Sequence, residues 1–213
     1  MNQYWEKIWD NSTITEYMGY MYGGLIDIDA EFLQVFAKHK IKTVCDAACG
    51  FGKYGALLYA NGYQVYGFDL AESSIHLTKQ ILHFLGMDSI INNYIIADIT
   101  KTPYEENQFD AVTAHAIIDH LPKRDAEAAL KELFRIIRPE GLIYLSFAGP
   151  NSSSNPTHNT HSYDGNFPLQ SLDREGLLYC YYTDDEIHQI LPDCQILSFT
   201  TEKNGDRELI LQK

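Results

Sequence analysis

Two hydrophobic rhythms alternate along this chain. Compact apolar runs predict strands over 41–46, over a segment ending at Asp69, and over 94–98, 108–115 and 142–147. Between them, apolar residues return every third or fourth position, the spacing of one helix face. Ile28, Phe32, Val35 and Phe36 mark such a helix over 27–39, a second is closed by Asn61-Gly62, and a third over 71–85 is stopped by Gly86. Pro122 and Asp125 open a fourth, with Ala126, Ala129, Leu130, Leu133 and Ile137 on one stripe and a stop at Pro139-Glu140-Gly141. Thr183-Asp184-Asp185-Glu186 reads as a capping box for a helix to Leu191, and 194–201 with 207–211 around Asn204-Gly205 as a terminal hairpin. Strand and helix in strict alternation predict an α/β fold, a mostly parallel sheet with helices on both faces.

The chemistry concentrates where strands end. Three predicted strands close on Asp46, Asp69 and Asp98, spaced by 23 and 29 residues, roughly one βα unit each. In a parallel sheet all C-terminal ends share one edge, so the three carboxylates are expected on one rim. After the first comes Gly50-Phe51-Gly52-Lys53-Tyr54-Gly55, a turn without Cβ atoms at the points where a ligand could approach the backbone. The pattern G-x-G-x-x-G also fits a dinucleotide site. Here, however, a carboxylate precedes the glycines, a poor neighbour for a pyrophosphate and a good one for a ligand carrying an ammonium and a sulfonium.

Asp46-Ala47-Ala48-Cys49-Gly50-Phe51-Gly52 resembles the first motif of class I S-adenosylmethionine-dependent methyltransferases, close to D-x-x-C-G-x-G. The stretch Phe109-Asp110-Ala111-Val112, with the histidine-containing turn behind it, looks like the family's fourth motif, and residues 130–141 are similar to the same family. The resemblance covers about 41–147. It implies a three-layer Rossmann-like sandwich, a seven-stranded sheet in the order 3-2-1-4-5-7-6 with an antiparallel last strand, and S-adenosyl-L-methionine as cofactor with S-adenosyl-L-homocysteine as product. By the same resemblance Asp69 serves the ribose hydroxyls, Asp98 the adenine amino group with Ile99 against the ring, and Asp46 the methionine ammonium. Ala47, Gly50, Gly52 and Leu70 complete the cradle, His115 borders the transferable methyl, and Tyr17 and Tyr22 come from an N-terminal segment folded over the methionine end.

Charge narrows the partners. The chain carries 16 Lys and Arg against 29 Asp and Glu, a net charge of −13, and no basic run of five, which disfavours nucleic acid. The N-terminus has no apolar core of a signal peptide and no stretch reaches the ~20 apolar residues of a membrane span, so a cytoplasmic protein without membrane contact is expected. Cys45, Cys49, Cys180 and Cys194 show no C-x-x-C spacing and read as thiols without zinc. His158 and His161 with Asp119 or Asp164 do not reach recognised metal-ligand spacing, so no metal is expected.

The expected layout is one domain over 1–213: an aromatic N-terminal lid segment (1–40), a cofactor core (41–147), an acceptor lid (148–182) and a terminal helix with its hairpin (183–213). Tyr17, Tyr20 and Tyr22 with Tyr179, Tyr181 and Tyr182 are expected to roof the rim over a small acceptor. Of the rim histidines His115, His120, His158 and His161, His115 is the nearest candidate base. The expected function is methyl transfer to a small molecule by in-line displacement, in a monomer or homodimer. A nicotinamide oxidoreductase and a non-catalytic adenosylmethionine-binding module remain the alternatives.

Overall fold

The computed structural model describes residues 2–19, 31–149, 160–163, 167–170 and 180–213. Helix α1 (Asn2–Asp10) precedes a helical turn over 14–19, where the Glu16 N–H donates to Thr13 Oγ1 at 3.2 Å. Then come α2 (Glu31–Lys38), β1 (Thr43–Ala47), α3 (Lys53–Ala60), β2 (Gln64–Asp69), α4 (Glu72–Phe84), β3 (Tyr94–Ile96), β4 (Phe109–Ala114), α5 (Lys123–Ile136) and β5 (Ile137–Phe147). After a small hairpin, β6 (Thr160–Tyr163) and β7 (Phe167–Gln170), the chain closes with α6 (Asp184–Ile190), β8 (Gln195–Thr201) and β9 (Arg207–Gln212). Residues 27–30 of the first predicted helix lie outside the described residues.

One seven-stranded sheet organises the chain, in the order β3-β2-β1-β4-β5-β9-β8. Counting only its own strands, the order is 3-2-1-4-5-7-6, with β9 antiparallel to both β5 and β8. The chain order reverses between β1 and β4, where a crevice opens at the strands' C-terminal ends. Apolar side chains fill both faces. Cys45 and Ala47 of β1 point into the layer under α5 and α6, whereas Val44 points into the layer under α2, α3 and α4. Because strand side chains alternate, Asp46 shares the face of Val44.

Four sequence expectations need correction. The helix over α5 ends at Ile136, and β5 starts five residues earlier than the expected 142, because the residue before a proline disfavours the helical region and Arg138 precedes Pro139. The third strand stops at Ile96 rather than Asp98. A hairpin stands inside 148–182, which shows no pattern in sequence. Tyr182 is not part of a roof: it is fully buried, packed edge-on against Phe147 at 5.5 Å.

Candidate active site

The turn after β1 is held by hydrogen bonds that only this backbone shape allows. Gly50 and Gly52 adopt φ of +55° and +80°, in the left-handed region that favours glycine. The Gly50 N–H donates to Asp69 Oδ2 at 2.9 Å, while its carbonyl accepts from the hydroxyls of Ser74 (2.6 Å) and Thr78 (2.7 Å) on α4. A Cβ at Gly52 would meet Thr78 Cγ2 at 2.7 Å, so the second glycine is required for α4 to pack this closely. Ala48 and Ala116, in the turns after β1 and β4, also take positive φ, +50° and +53°. Such backbone costs about 1–3 kcal/mol per residue, and both alanines line the crevice.

Asp69 is the centre of the site. Oδ2 takes the Gly50 N–H and Oδ1 the Ala71 N–H, each at 2.9 Å. The Ser74 hydroxyl and the Leu70 N–H also act on this carboxylate, and all of these favour its charged form. The residue is 8% exposed, and burial raises its pKa against the hydrogen bonds from Ala71 and Gly50.

A cavity of about 270 Å³ opens beside it. From the sheet side it is lined by Gly50, by Phe68, Asp69 and Leu70 at the end of β2, and by 97–100 beyond β3. The turn after β4 adds Ala116, Ile117, His120 and Leu121. Asp98 is exposed, its Oδ1 taking the Thr100 N–H and hydroxyl at 2.8 Å each, and Ile99 is buried beside it. The opposing wall is α1. Trp5 and Trp9 lie nearly parallel, ring centroids 6.2 Å apart, with Trp5 edge-on to His120 at 5.2 Å.

Thus Gly50, Asp69, Leu70, Asp98 and Ile99 meet at the cavity. Asp46, Ala47, Gly52, His115 and Tyr17 are not among its lining residues. Asp46 is 4% exposed and turned inward, Oδ2 accepting from the Gly55 N–H (2.9 Å) and Oδ1 from the Thr113 hydroxyl (3.1 Å). Burial raises its pKa to about 7. Tyr17 lies one layer back, 5.8 Å from Trp9 and 4.7 Å from Phe51. His115 packs on Tyr54 at 4.7 Å; solvent reaches its ring, yet crowding by protein and then the Lys53 ammonium hold its pKa below the ordinary imidazole value. Tyr20, Tyr22, His158, Asp164 and Tyr179 lie outside the described residues. Among the described residues no group of three His, Cys, Asp and Glu stands together to hold a metal ion.

Sequence reasoning passed over the two tryptophans as cavity residues. Trp5 and Trp9 share a helix face by their spacing of four, and their bulk on a short amphipathic helix was the available signal. His120 was one of several rim histidines, with nothing in the sequence to set it apart.

The lining fits an adenosine: the Asp69 carboxylate for vicinal hydroxyls, Leu70 and Ile99 as apolar walls, and Asp98 as a second carboxylate. A parallel sheet with the reversed strand β9, and this cradle at the ends of β1, β2 and β3, define a Rossmann-like methyltransferase fold. Residues 45–145 match the family described as "Methyltransferase domain". It is 27% identical over 124 residues to a ubiquinone biosynthesis O-methyltransferase of Hydrogenovibrio crunogenus, covering 58% of this chain and 50% of that protein. To that of Idiomarina loihiensis it is 33% identical over 113 residues, 53% of this chain and 45% of the other. The chain spans about half the length of these curated relatives. Among solved structures, the PH0226 protein of Pyrococcus horikoshii superposes with a TM-score of 0.73 at 17% identity, over 95% of this chain and 92% of that one. Magnesium protoporphyrin IX methyltransferase of Synechocystis gives 0.64 at 18%, over 99% and 90%; at these identities the likeness is one of fold.

Proposed function

We propose that this chain transfers a methyl group from S-adenosylmethionine to a small-molecule acceptor by in-line displacement. The observation that carries the reading is Asp69, held by two backbone N–H groups at the mouth of a cavity between β2 and α1. Bound there, the cofactor supplies a sulfonium whose methyl is electrophilic. The chain's own part is to hold, align and desolvate. Asp69 takes the ribose hydroxyls, Asp98 the adenine amino group, and Leu70 and Ile99 grip the ring, while Gly50 gives backbone clearance. Ala47 and Gly52 shape the turn behind it. Asp46 fixes β1 to α3 and β4, and acts on the methionine end through its field rather than by contact.

Positioning alone lowers such barriers by roughly 7–11 kcal/mol in favourable cases. Where the acceptor is a hydroxyl, His115 serves as base: its ring is reached by solvent and is neutral at neutral pH. The two relatives' names, O-methyltransferases of ubiquinone biosynthesis, support a hydroxyl on a small apolar molecule. A charge of −13 supports the same class over nucleic acid. We read 1–213 as one unit, a monomer or homodimer of the cytoplasm; among the described residues no helix is long and apolar enough to cross a membrane. By the family resemblance, the segment that holds Tyr17 and Tyr22 would cover the methionine end.

Calorimetry with S-adenosylhomocysteine and NAD tests the cofactor. Micromolar binding of the former alone is expected, and binding of NAD alone overturns the reading. Release of S-adenosylhomocysteine from S-adenosylmethionine across pools of phenolic and other hydroxyl acceptors tests the transfer. A protein that binds the cofactor and turns over no pool would be a binding module instead.

A further inference from the structure

Helix α4 begins without a cap of its own. Its N-cap position is Ala71, whose side chain offers no acceptor, although the first N–H groups of a helix have no partner inside it. The missing acceptor comes from α1. Glu6 Oε1 takes the Glu72 N–H at 2.8 Å, Oε2 takes the Ser73 N–H at 3.1 Å and the Ser73 hydroxyl at 2.7 Å, and the same hydroxyl lies 3.1 Å from the Glu6 carbonyl. A carboxylate at the positive end of a helix is favoured twice, by the hydrogen bonds and by the dipole. The Ser73 hydroxyl holds the Glu6 carboxyl below its ordinary range.

The position of this contact gives it a second consequence. Glu6 follows Trp5, and Trp5 and Trp9 are the cavity wall that faces Asp69. Asp69 itself bonds the Ala71 N–H, one residue before the first group that Glu6 caps. Gly50, bonded to Asp69, is bonded in turn to Ser74, one residue after the last. The 69–74 turn therefore joins the ligand carboxylate to the wall opposite it. We propose that Glu6 is a positioning residue for the cofactor: it touches no ligand, and by fastening α1 to the first turn of α4 it keeps Trp5 and Trp9 closed over the bound molecule, so that it governs how fast the cofactor leaves.

The inference rests on the adenosine reading of the cavity, and its test separates the two. Stopped-flow tryptophan fluorescence with S-adenosylhomocysteine measures association and dissociation on wild type and Glu6→Ala, with thermal melting of the ligand-free proteins alongside. Loss of hydrogen bonds to a charged, partly exposed group should raise the dissociation rate about tenfold in Glu6→Ala. Association should not slow, since opening precedes it and nothing in Glu6→Ala opposes opening. Ser73→Ala removes only the hydroxyl arms and should give a smaller rise; it also replaces Glu6→Ala if that variant does not fold. Glu6→Gln, which retains an acceptor, should restore part of the residence time. If both alanine variants melt earlier but release S-adenosylhomocysteine at the wild-type rate, Glu6 is only a helix cap and the proposal falls. If wild type does not bind S-adenosylhomocysteine, the cavity reading has failed, and the latch falls with it.

Discussion

The phenol of Tyr94 occupies the space that a Cβ would need at Gly55, and its ring fills the corresponding space at Gly67. Strand β3 thereby inserts its first residue between β2 and α3, and the third glycine of the turn motif is a packing glycine rather than a ligand contact. Among the described residues the buried Tyr94 hydroxyl has no hydrogen-bond partner, an arrangement that costs about 1–3 kcal/mol. Gly55→Ala should destabilise the fold by about 3 kcal/mol through overpacking. Tyr94→Phe should stabilise it by about 1 kcal/mol. With the hydroxyl gone, the nearest ring atom stands 3.0 Å from the new Cβ, so the double variant should recover part of the loss. Chemical denaturation of the four proteins closes the cycle; a Tyr94→Phe protein less stable than wild type would mean that the phenol has a partner.

Asp69→Ala should weaken S-adenosylhomocysteine binding about 10- to 100-fold, the effect of losing hydrogen bonds to a charged group. Calorimetry on protein that still melts cooperatively measures it. Unchanged affinity would remove Asp69 from the site.

Both tryptophans of the chain stand in the cavity wall. Intrinsic fluorescence should therefore change on addition of S-adenosylhomocysteine, and single Trp5→Phe and Trp9→Phe variants should divide the change between them. Trp9→Ala should weaken binding by about 1–3 kcal/mol, the scale of a base stacked on an aromatic ring. A signal that ignores ligand while calorimetry reports binding would place the cofactor elsewhere.

Asp46 makes stability depend on pH in a definite direction. Its folded pKa, about 7, lies above the unfolded value near 3.8, so between these limits the folded state holds the extra proton. Its contribution is present in full below about pH 4 and is lost as pH rises through 7. Asp46→Asn keeps an oxygen for the Gly55 N–H and an amide for Thr113, and carries no charge. Relative to wild type it should gain stability between pH 4 and pH 7, by ~2–4 kcal/mol at the top, then level off. Melting temperatures of the pair from pH 4 to 8.5 decide it; a constant difference across that range would contradict the buried proton.

Much of this was legible because turn chemistry is local. Gly50, Gly52 and Asp69 stand where their spacing puts them, since a left-handed turn and a strand-ending carboxylate leave a mark in a few adjacent letters. The capping box at Thr183 and Glu186 forms for the same reason, with both arms made. Side-chain direction was less accessible. Asp46 and Asp69 look equivalent in sequence, yet β1 runs one residue past Asp46, which pairs with Gly67, two positions short of Asp69, and so lies deeper and reaches Gly55. Tyr182 sits in a polar, aromatic stretch that suggests a surface, but its carbonyl accepts from buried Arg207 and its ring meets Phe147. Such contacts join residues far apart in the chain, and no window of neighbouring letters contains them. The tie between Glu6 and Ser73, 67 positions on, is of the same kind.

Away from the cavity, Asp110 accepts from the N–H groups of Lys42 and Thr43 (2.8 and 2.9 Å) and from the Thr43 hydroxyl, while Arg138 grips its other oxygen at 2.6 Å. The starts of β1, β4 and β5 are thus riveted together at the edge opposite the ligand. The sheet is built like forceps, with a heel clamped by charge and tips closed by lighter ties such as the Gly50 N–H to Asp69. This clamp sets the angle at which β1, β4 and β5 run toward the turns that carry the site. A substitution at the heel, Asp110→Ala for example, would alter the grip of the tips from across the full length of the strands, and would resemble a binding defect in any assay that does not also measure stability.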